Sequence, residues 1–290
     1  MTKQLKKAGQ MSELLSSFRC PICHSELRVV DLKSLVCGKK HTFDFAKQGY
    51  LNFMTRPVSS PYTKSLFEAR HRIITETGLF TALHETVAEV VMEHTDASAR
   101  RFTMADLGCG EGSHLQMIID GCQDRDITGI GLDLSKEAVL MASKRHESPI
   151  WLVGDLAKTP FNDQSMDALL TILSPSNYSE CKRILARGGL VMKVVPRAHY
   201  LRELREALFP NSNKPVYRNT ETVTLFKQHF QLLDVVPVKY TRKLSKETLD
   251  SLVHMTPLSW SADSNRVTAF INQEEVEITV DLEVLVGCNQ

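Results

Sequence analysis

The chain has 290 residues, 42% hydrophobic and 24% charged, enough for one large domain with an appendage or for two domains. A disordered or fibrous chain is excluded. Thirty-five Lys and Arg against thirty-four Asp and Glu leave a formal charge of +1, which at face value argues against a nucleic-acid partner.

No run approaches the roughly 18 apolar residues that span a bilayer, and no apolar signal core follows the first lysines. A cytoplasmic protein without membrane contact is expected. Residues 1 to about 17 are polar and lysine-bearing, with at most a short helix. From 18 to about 55, short apolar runs alternate with turn-like cysteine pairs, and MTRPVSSPYTK at 54–64 reads as a linker. Beyond it, helical periods alternate with apolar strand runs, the pattern of a parallel sheet covered by helices.

Helices are predicted near 65–76 and 80–94, followed by a strand at 103–107 and a helix at 112–120. Next come a strand at 127–132, a helix at 135–146, strands at 150–153 and 167–173, a helix at 178–186 and a strand at 189–195. A helix at 198–209, a strand at 230–238, helices near 246–255 and 263–272, and a strand at 275–286 complete the series. The last run contains VEITVDLEVLV, which alternates apolar and polar residues, unlike the near-continuous ITGIGLD and DALLTIL. It looks like an antiparallel edge strand. The segments are therefore 1–55, a ribbon; 56–79, a linker and helix; and 80–290, an α/β domain.

Seven cysteines are an odd count, and three crowd into the first 40 residues, so a metal site is expected before a disulfide framework. Cys20 and Cys23 stand two residues apart, and Cys37 and His41 three apart, with thirteen between the pairs. Pro21 and Gly38 favour a tight turn at each pair, and a hairpin through 27–36 brings both to one tetrahedral point. Three thiolates and an imidazole suit zinc. A segment this short buries too little apolar surface to fold alone, so the metal supplies folding energy. His24 competes with His41 as the fourth ligand, and its place directly after Cys23 fits less well.

MADLGCGEGSH at 104–114 sets Asp106, Gly108, Gly110, Glu111 and Gly112 where a strand turns sharply into a helix. Ser113, followed by His114, occupies the place where a dinucleotide fingerprint has its third glycine, and Asp106 would oppose a nearby pyrophosphate. A ligand free of phosphate, such as S-adenosylmethionine with its sulfonium, amino group and carboxylate, tolerates that acid. Asp133 closes the next strand, where ribose hydroxyls lie. Asp155, with Leu156 after it, stands at the end of the third, near an adenine. The alternative on the same fold is a dinucleotide or sugar-nucleotide site.

This ordered set resembles the class I S-adenosylmethionine-dependent methyltransferases, over about residues 80–287. The resemblance implies a Rossmann-like seven-stranded sheet whose terminal antiparallel strand lies between two late strands. The cysteine ribbon, FDFAKQGYLNFM at 43–54, FEARHRIITETGLF at 67–80, DLGCGEG at 106–112 and HMTPLSW at 254–260 together resemble the RlmA family, almost from end to end. That resemblance implies methylation of guanine-N(1) in a hairpin of 23S rRNA, in the helix 35 region, by a homodimer. LSPSN at 173–177 departs from the family, and VVPRAHYLREL at 194–204 matches loosely, which carries His199 or Tyr200 toward the cofactor only weakly.

N1 of guanine carries a proton and is hidden in a base pair, so the target must be unpaired or extruded. Ser174, Ser176 and Asn177 are poor bases, and Glu111 and Asp155 have cofactor roles, so no catalytic base is assigned. Trp260 fits a stacking platform or a residue packed beneath a lid. Phe80 fits a cofactor cover or a core anchor. His71, His84 and His94 read as surface or capping residues.

A small-molecule methyltransferase with a structural ribbon is the first rival, and a zinc-bearing binding protein with a degenerate cofactor fold is the second. Charge separates them. Residues 1–60 hold ten Lys and Arg against four acids, and residues 179–218 nine against three, whereas the last thirty hold one Arg against six acids. The near-neutral total is a cancellation, and it allows a nucleic acid at the two basic segments.

Overall fold

The computed structural model describes residues 2–56, 61–94, 101–123, 125–210 and 219–290. Part of the predicted linker, 57–60, and the end of the second basic segment, 211–218, fall outside them. In chain order, the N-terminal part comprises α1 (Lys3–Ser12), β1 (Leu27–Val30), β2 (Ser34–Cys37), β3 (Thr42–Asp44) and β4 (Leu51–Asn52). Then follow α2 (Lys64–Glu76), α3 (Thr81–His94), β5 (Phe102–Leu107), α4 (Ser113–Gly121), β6 (Ile127–Asp133), α5 (Lys136–Arg145), β7 (Ile150–Val153) and β8 (Met166–Ile172). The rest is α6 (Tyr178–Ile184), β9 (Leu185–Pro196), α7 (Arg202–Leu208), α8 (Thr220–His229), β10 (Gln231–Ser245), α9 (Lys246–His254), α10 (Ser264–Ile271) and β11 (Glu275–Cys288).

The main sheet runs β10-β11-β9-β8-β5-β6-β7-β4. Strands β9, β8, β5, β6, β7 and β4 are parallel, while β11 runs antiparallel to both neighbours. This is the class I methyltransferase fold, with two departures from expectation. The last strand is not the edge that its alternation suggested but lies between two late strands, as the family resemblance implied: it pairs along its whole length with the long β10 and also with β9. Its alternating pattern reports antiparallel pairing, and its neighbours depend on distant segments that periodicity does not see.

The second departure is an eighth strand. Leu51 and Asn52 pair with Leu152 and Val153, so the chain leaving the ribbon caps the β7 edge, which would otherwise offer unpaired backbone groups. The ribbon sheet β1-β2-β3 shares a core with the catalytic sheet: Phe18, Leu35, Phe43 and Phe53 bury with Leu107, Leu132 and Phe161. The short segment thus folds onto an existing apolar face.

Helix α1 is fastened by a buried cation. Lys7 Nζ donates to the carbonyls of Glu147, Ser148 and Pro149 at 2.6, 3.0 and 2.8 Å, just beyond the C-terminus of α5, where carbonyls favour a positive charge. Burial, aided by Lys6 and Lys3, pulls its pKa down to about 8. Lys7→Met leaves three acceptors without a donor and is expected to cost about 2–4 kcal/mol, readable as a lower urea midpoint. An unchanged midpoint would mean that water replaces the ammonium at no cost.

Candidate functional site

The parallel order reverses at β5, which lies between β6 and β8; ligands of such sheets bind in the crevice at the strand C-termini there. The glycine loop leaves β5 at this point. Gly108 (φ +88°) and Gly112 (φ +86°) adopt left-handed backbone, and added Cβ atoms would meet Ser174 Cβ at 2.8 Å and the Trp151 ring at 2.4 Å. Both positions therefore require glycine. The amides of Gly108 and Cys109 donate to the Leu132 carbonyl, which locks the turn to β6.

Asp133 closes β6 and braces the loop. Its carboxylate accepts from the Gly110 and Ser135 amides, both at 2.8 Å. Asp106 is 1% exposed, and its Oδ1 has no hydrogen-bond partner. An orphaned buried carboxylate oxygen is costly. It fits a ligand that brings a cation or donor, as S-adenosylmethionine does.

Burial pushes the Asp106 pKa up to about 7, with Arg70 opposing and Asp133 and Glu111 adding to the rise. The folded carboxyl keeps its proton to higher pH than the unfolded one, whose ordinary value is 3.8. Its contribution to stability is thus complete below about pH 4 and is lost as pH rises through about 7. Asp106→Asn is expected to flatten the fall in melting temperature over that window, and a variant as steep as the parent would acquit Asp106.

Arg70, which sequence patterning did not single out, comes from α2. Its guanidinium carbon lies 3.6 Å from where a Gly110 Cβ would stand, and its charge acts on Asp106, Asp133 and Glu111. It belongs to the FEARHRIITETGLF run, yet no spacing distinguishes it from a surface arginine.

The other expected residues divide. Leu156 reaches toward Gly108, its Cδ1 3.9 Å from an added Cβ, while Asp155 is exposed and accepts from the Ala157 amide. Ser113 Oγ donates to Glu111 Oε2 at 2.6 Å, and the Glu111 carboxylate is 1% exposed beside His71. Phe80 is buried and edge-on to His114 at 5.1 Å, and His114 bonds His84 at 2.8 Å. Burial holds both of these histidines neutral at ordinary pH. The core-anchor reading of Phe80 gains from this.

His199 stands apart. Its amide donates to Asp281 on β11, and it lines a cavity with Arg202, Lys239 and Tyr240, three strands from β5. The surface or capping reading of the helical histidines holds for His94, which bonds the Val90 carbonyl, and fails for His71 and His84, which α2 and α3 turn inward. Trp260 is 54% exposed and faces Tyr62 at 5.7 Å, so it does not pack beneath a lid.

In the 173–177 loop, Ser174 Oγ donates to the Leu107 carbonyl at 2.9 Å, and Asn177 caps α6 by accepting from the Glu180 amide. Lys193, 8% exposed on β9, donates to the Ser174 carbonyl at 3.2 Å and to Ser176 Oγ at 2.7 Å. These serines are spent on holding the loop, and Lys193 is a positioning residue that the sequence did not reveal.

Cys20, Cys23, Cys37 and His41 converge, all four ligand atoms lying within 4.8 Å of one another. Cys23 and Cys37 sulfurs are 3.6 Å apart, and His41 Nδ1 is 3.5 Å from Cys20 and 3.3 Å from Cys37. Such separations suit the edges of a tetrahedron with zinc bonds of roughly 2.0–2.3 Å. His24 is exposed and outside the set. Ser25 draws the Cys23 thiol down to about 6, whereas burial pushes Cys20 up to about 11; a bound cation favours the thiolate at each.

Residues 18–60 match the profile of the RlmA N-terminal zinc ribbon, and residues 104–189 match a methyltransferase domain. Bacillus subtilis YxjB, provisionally named a 23S rRNA (guanine-N(1)-)-methyltransferase, is 42% identical over 94% of this chain and 97% of its own. The chain belongs to the RlmA family. The 23S rRNA (guanine(748)-N(1))-methyltransferase of Streptomyces fradiae is 30% identical over 92% of this chain and 95% of its own. As a member, the chain is an S-adenosylmethionine-dependent enzyme with a zinc ribbon.

The RlmA ribbon carries exposed positive charge. Arg28, Lys33, Lys39, Lys40 and Lys47 are exposed. In the second basic segment, Arg183 pairs with Asp163 and Glu180, Arg197 lies by Asp281 and Glu283, Arg202 joins Glu203, and Lys193 is buried. Lys182 and Arg187 of the same segment are exposed, and Lys214 and Arg218 fall outside the described residues, so the second basic segment is reduced by its pairing with Asp163, Asp281 and Glu283 and not abolished. Among the described residues, no helix is long and apolar enough to cross a membrane.

Proposed function

We propose that this chain methylates N1 of a guanine in 23S rRNA, in the hairpin of the helix 35 region, and that it works as a homodimer. The observation that carries the reading is the pairing of β4 with β7. It joins a ribbon with exposed lysines to the sheet that bears the glycine loop, so one connected unit can hold an RNA and present a cofactor. The names of the full-length relatives agree with the reaction.

Bound S-adenosylmethionine supplies an electrophilic methyl group on a sulfonium. Asp133 would receive the ribose hydroxyls, Asp106 the amino group, and Arg70 the carboxylate; Gly108, Gly110 and Gly112 would leave room for close approach. Leu156 and Asp155 line the adenine side. Because guanine N1 is hidden in a base pair, the base enters unpaired or extruded. The 173–177 loop, set by Lys193, borders the place where it must lie, and the exposed Trp260–Tyr62 pair offers rings on which a neighbouring base can stack. The chain's own contribution is alignment of the two reactants and exclusion of water.

Mass spectrometry or primer extension on 23S rRNA from a strain lacking this gene tests the reading. A single guanine in that hairpin should lose its methyl group. An unchanged methylation pattern would sink the proposal.

A further inference from the structure

A second group of metal-ligating side chains lies on the inner side of the glycine loop. His71 from α2, Glu111 from the loop and His146, the residue after α5, bring their ligand atoms within 4.8 Å of one another. His71 Nδ1 is 3.3 Å from Glu111 Oε2. Ser113 Oγ stands between them, 2.8 Å from His71 Nδ1, 2.6 Å from Glu111 Oε2 and 3.4 Å from His146 Nε2.

We propose that His71, Glu111 and His146, with the Ser113 hydroxyl beside them, form a divalent-cation site separate from the ribbon, of the two-imidazole, one-carboxylate type that suits zinc. Two arguments carry it. All three ligand atoms lie within 4.8 Å of one another, and the 3.3 Å between His71 Nδ1 and Glu111 Oε2 matches an edge of a tetrahedral shell with bonds of about 2.0–2.1 Å. The donors come from three elements distant in sequence, so local chain geometry does not bring them together.

The site has an outer support and an entrance. Trp151 Nε1 donates to the His146 carbonyl at 3.0 Å, fixing the backbone that carries the ring. The His71 side chain is 22% exposed while Glu111 is 1% exposed, so a cation enters from the α2 side and a water completes its shell. Occupancy pins α2, which carries Arg70 over the loop, to the start of α4 and the end of α5. The metal thereby stiffens the mouth without touching the transferred group.

Calorimetric titration of Zn²⁺ into the purified protein, its ribbon already loaded, is expected to show one further equivalent and a rise in melting temperature. Co²⁺ in its place should give visible ligand-field absorption. His146→Ala and His71→Ala, on different elements, should each weaken this uptake by about tenfold or more while ribbon zinc, measured by elemental analysis, stays at one equivalent. Should His146→Ala fail to fold, His71→Ala at its more open position carries the test. No further uptake by the parent protein, or uptake undiminished in the variants, overturns the site. Neither result depends on RNA or on methyl transfer, so the proposed reaction and the proposed site fail separately.

Discussion

Cys37→Ser is expected to empty the ribbon and to lower methylation of 23S rRNA by about a hundredfold or more, while affinity for S-adenosylmethionine changes by no more than about threefold. The asymmetry follows from where the residue sits. Cys37 is 2% exposed at the end of β2, and its sulfur meets Cys23 and His41. Structural zinc contributes roughly 10–16 kcal/mol to the folding of such small units, far beyond what three strands of three or four residues can replace.

The cofactor loop, by contrast, is held by β5, β6 and the buried Trp151, none of which lies in the ribbon. Elemental analysis, calorimetry with the cofactor and a methylation assay on rRNA read the three quantities independently. Because Leu35 and Phe43 share a core with Leu107 and Leu132, a modest fall in melting temperature accompanies the loss. Equal loss of RNA methylation and cofactor binding would show instead that the ribbon supports the whole fold.

Asp133→Ala should weaken cofactor binding by about a hundredfold. Each hydrogen bond from a ribose hydroxyl to a carboxylate is worth about 1.5–3 kcal/mol, so losing two costs at least about 3 kcal/mol, or two decades in Kd. The Gly110 and Ser135 amides lose their acceptor as well, which loosens the turn that the ligand must meet. Asp133→Asn keeps a carbonyl oxygen for one of those amides and should fall between the two. Calorimetric titration of S-adenosylmethionine, with thermal melts to check folding, measures the series. Affinity within about twofold of the parent in both variants would mean that the cofactor lies elsewhere.

What could be read before the fold was known shares one property: it depends on residues close together in the chain. The Cys20–Cys23 and Cys37–His41 spacings define two knuckles, and the β5 turn with its three glycines is a local backbone requirement. Asp106 and Asp133 announce themselves as strand ends. The βα alternation follows from apolar periodicity, which a single segment expresses by its own composition. Where a reading went astray, the cause was a partner far along the chain. Counting basic residues over 179–218 missed that Arg183 and Arg197 are ion-paired with Asp163, Asp281 and Glu283, which lie outside that segment.

The sequence by itself determined the candidate zinc ligands by spacing, a parallel sheet covered by helices by alternation, and the family with its Rossmann-like class by the order of its motifs. Only the tertiary structure decided the rest: that Leu51 and Asn52 add an eighth strand, that Lys7 is a buried tie, and that Arg70, His71 and Lys193 face the loops where chemistry is expected. The physical reason is common to all of these. A helix or strand reveals from its own residues which face is apolar, but not which neighbour covers that face, and a polar side chain's role is set by the groups that burial brings against it.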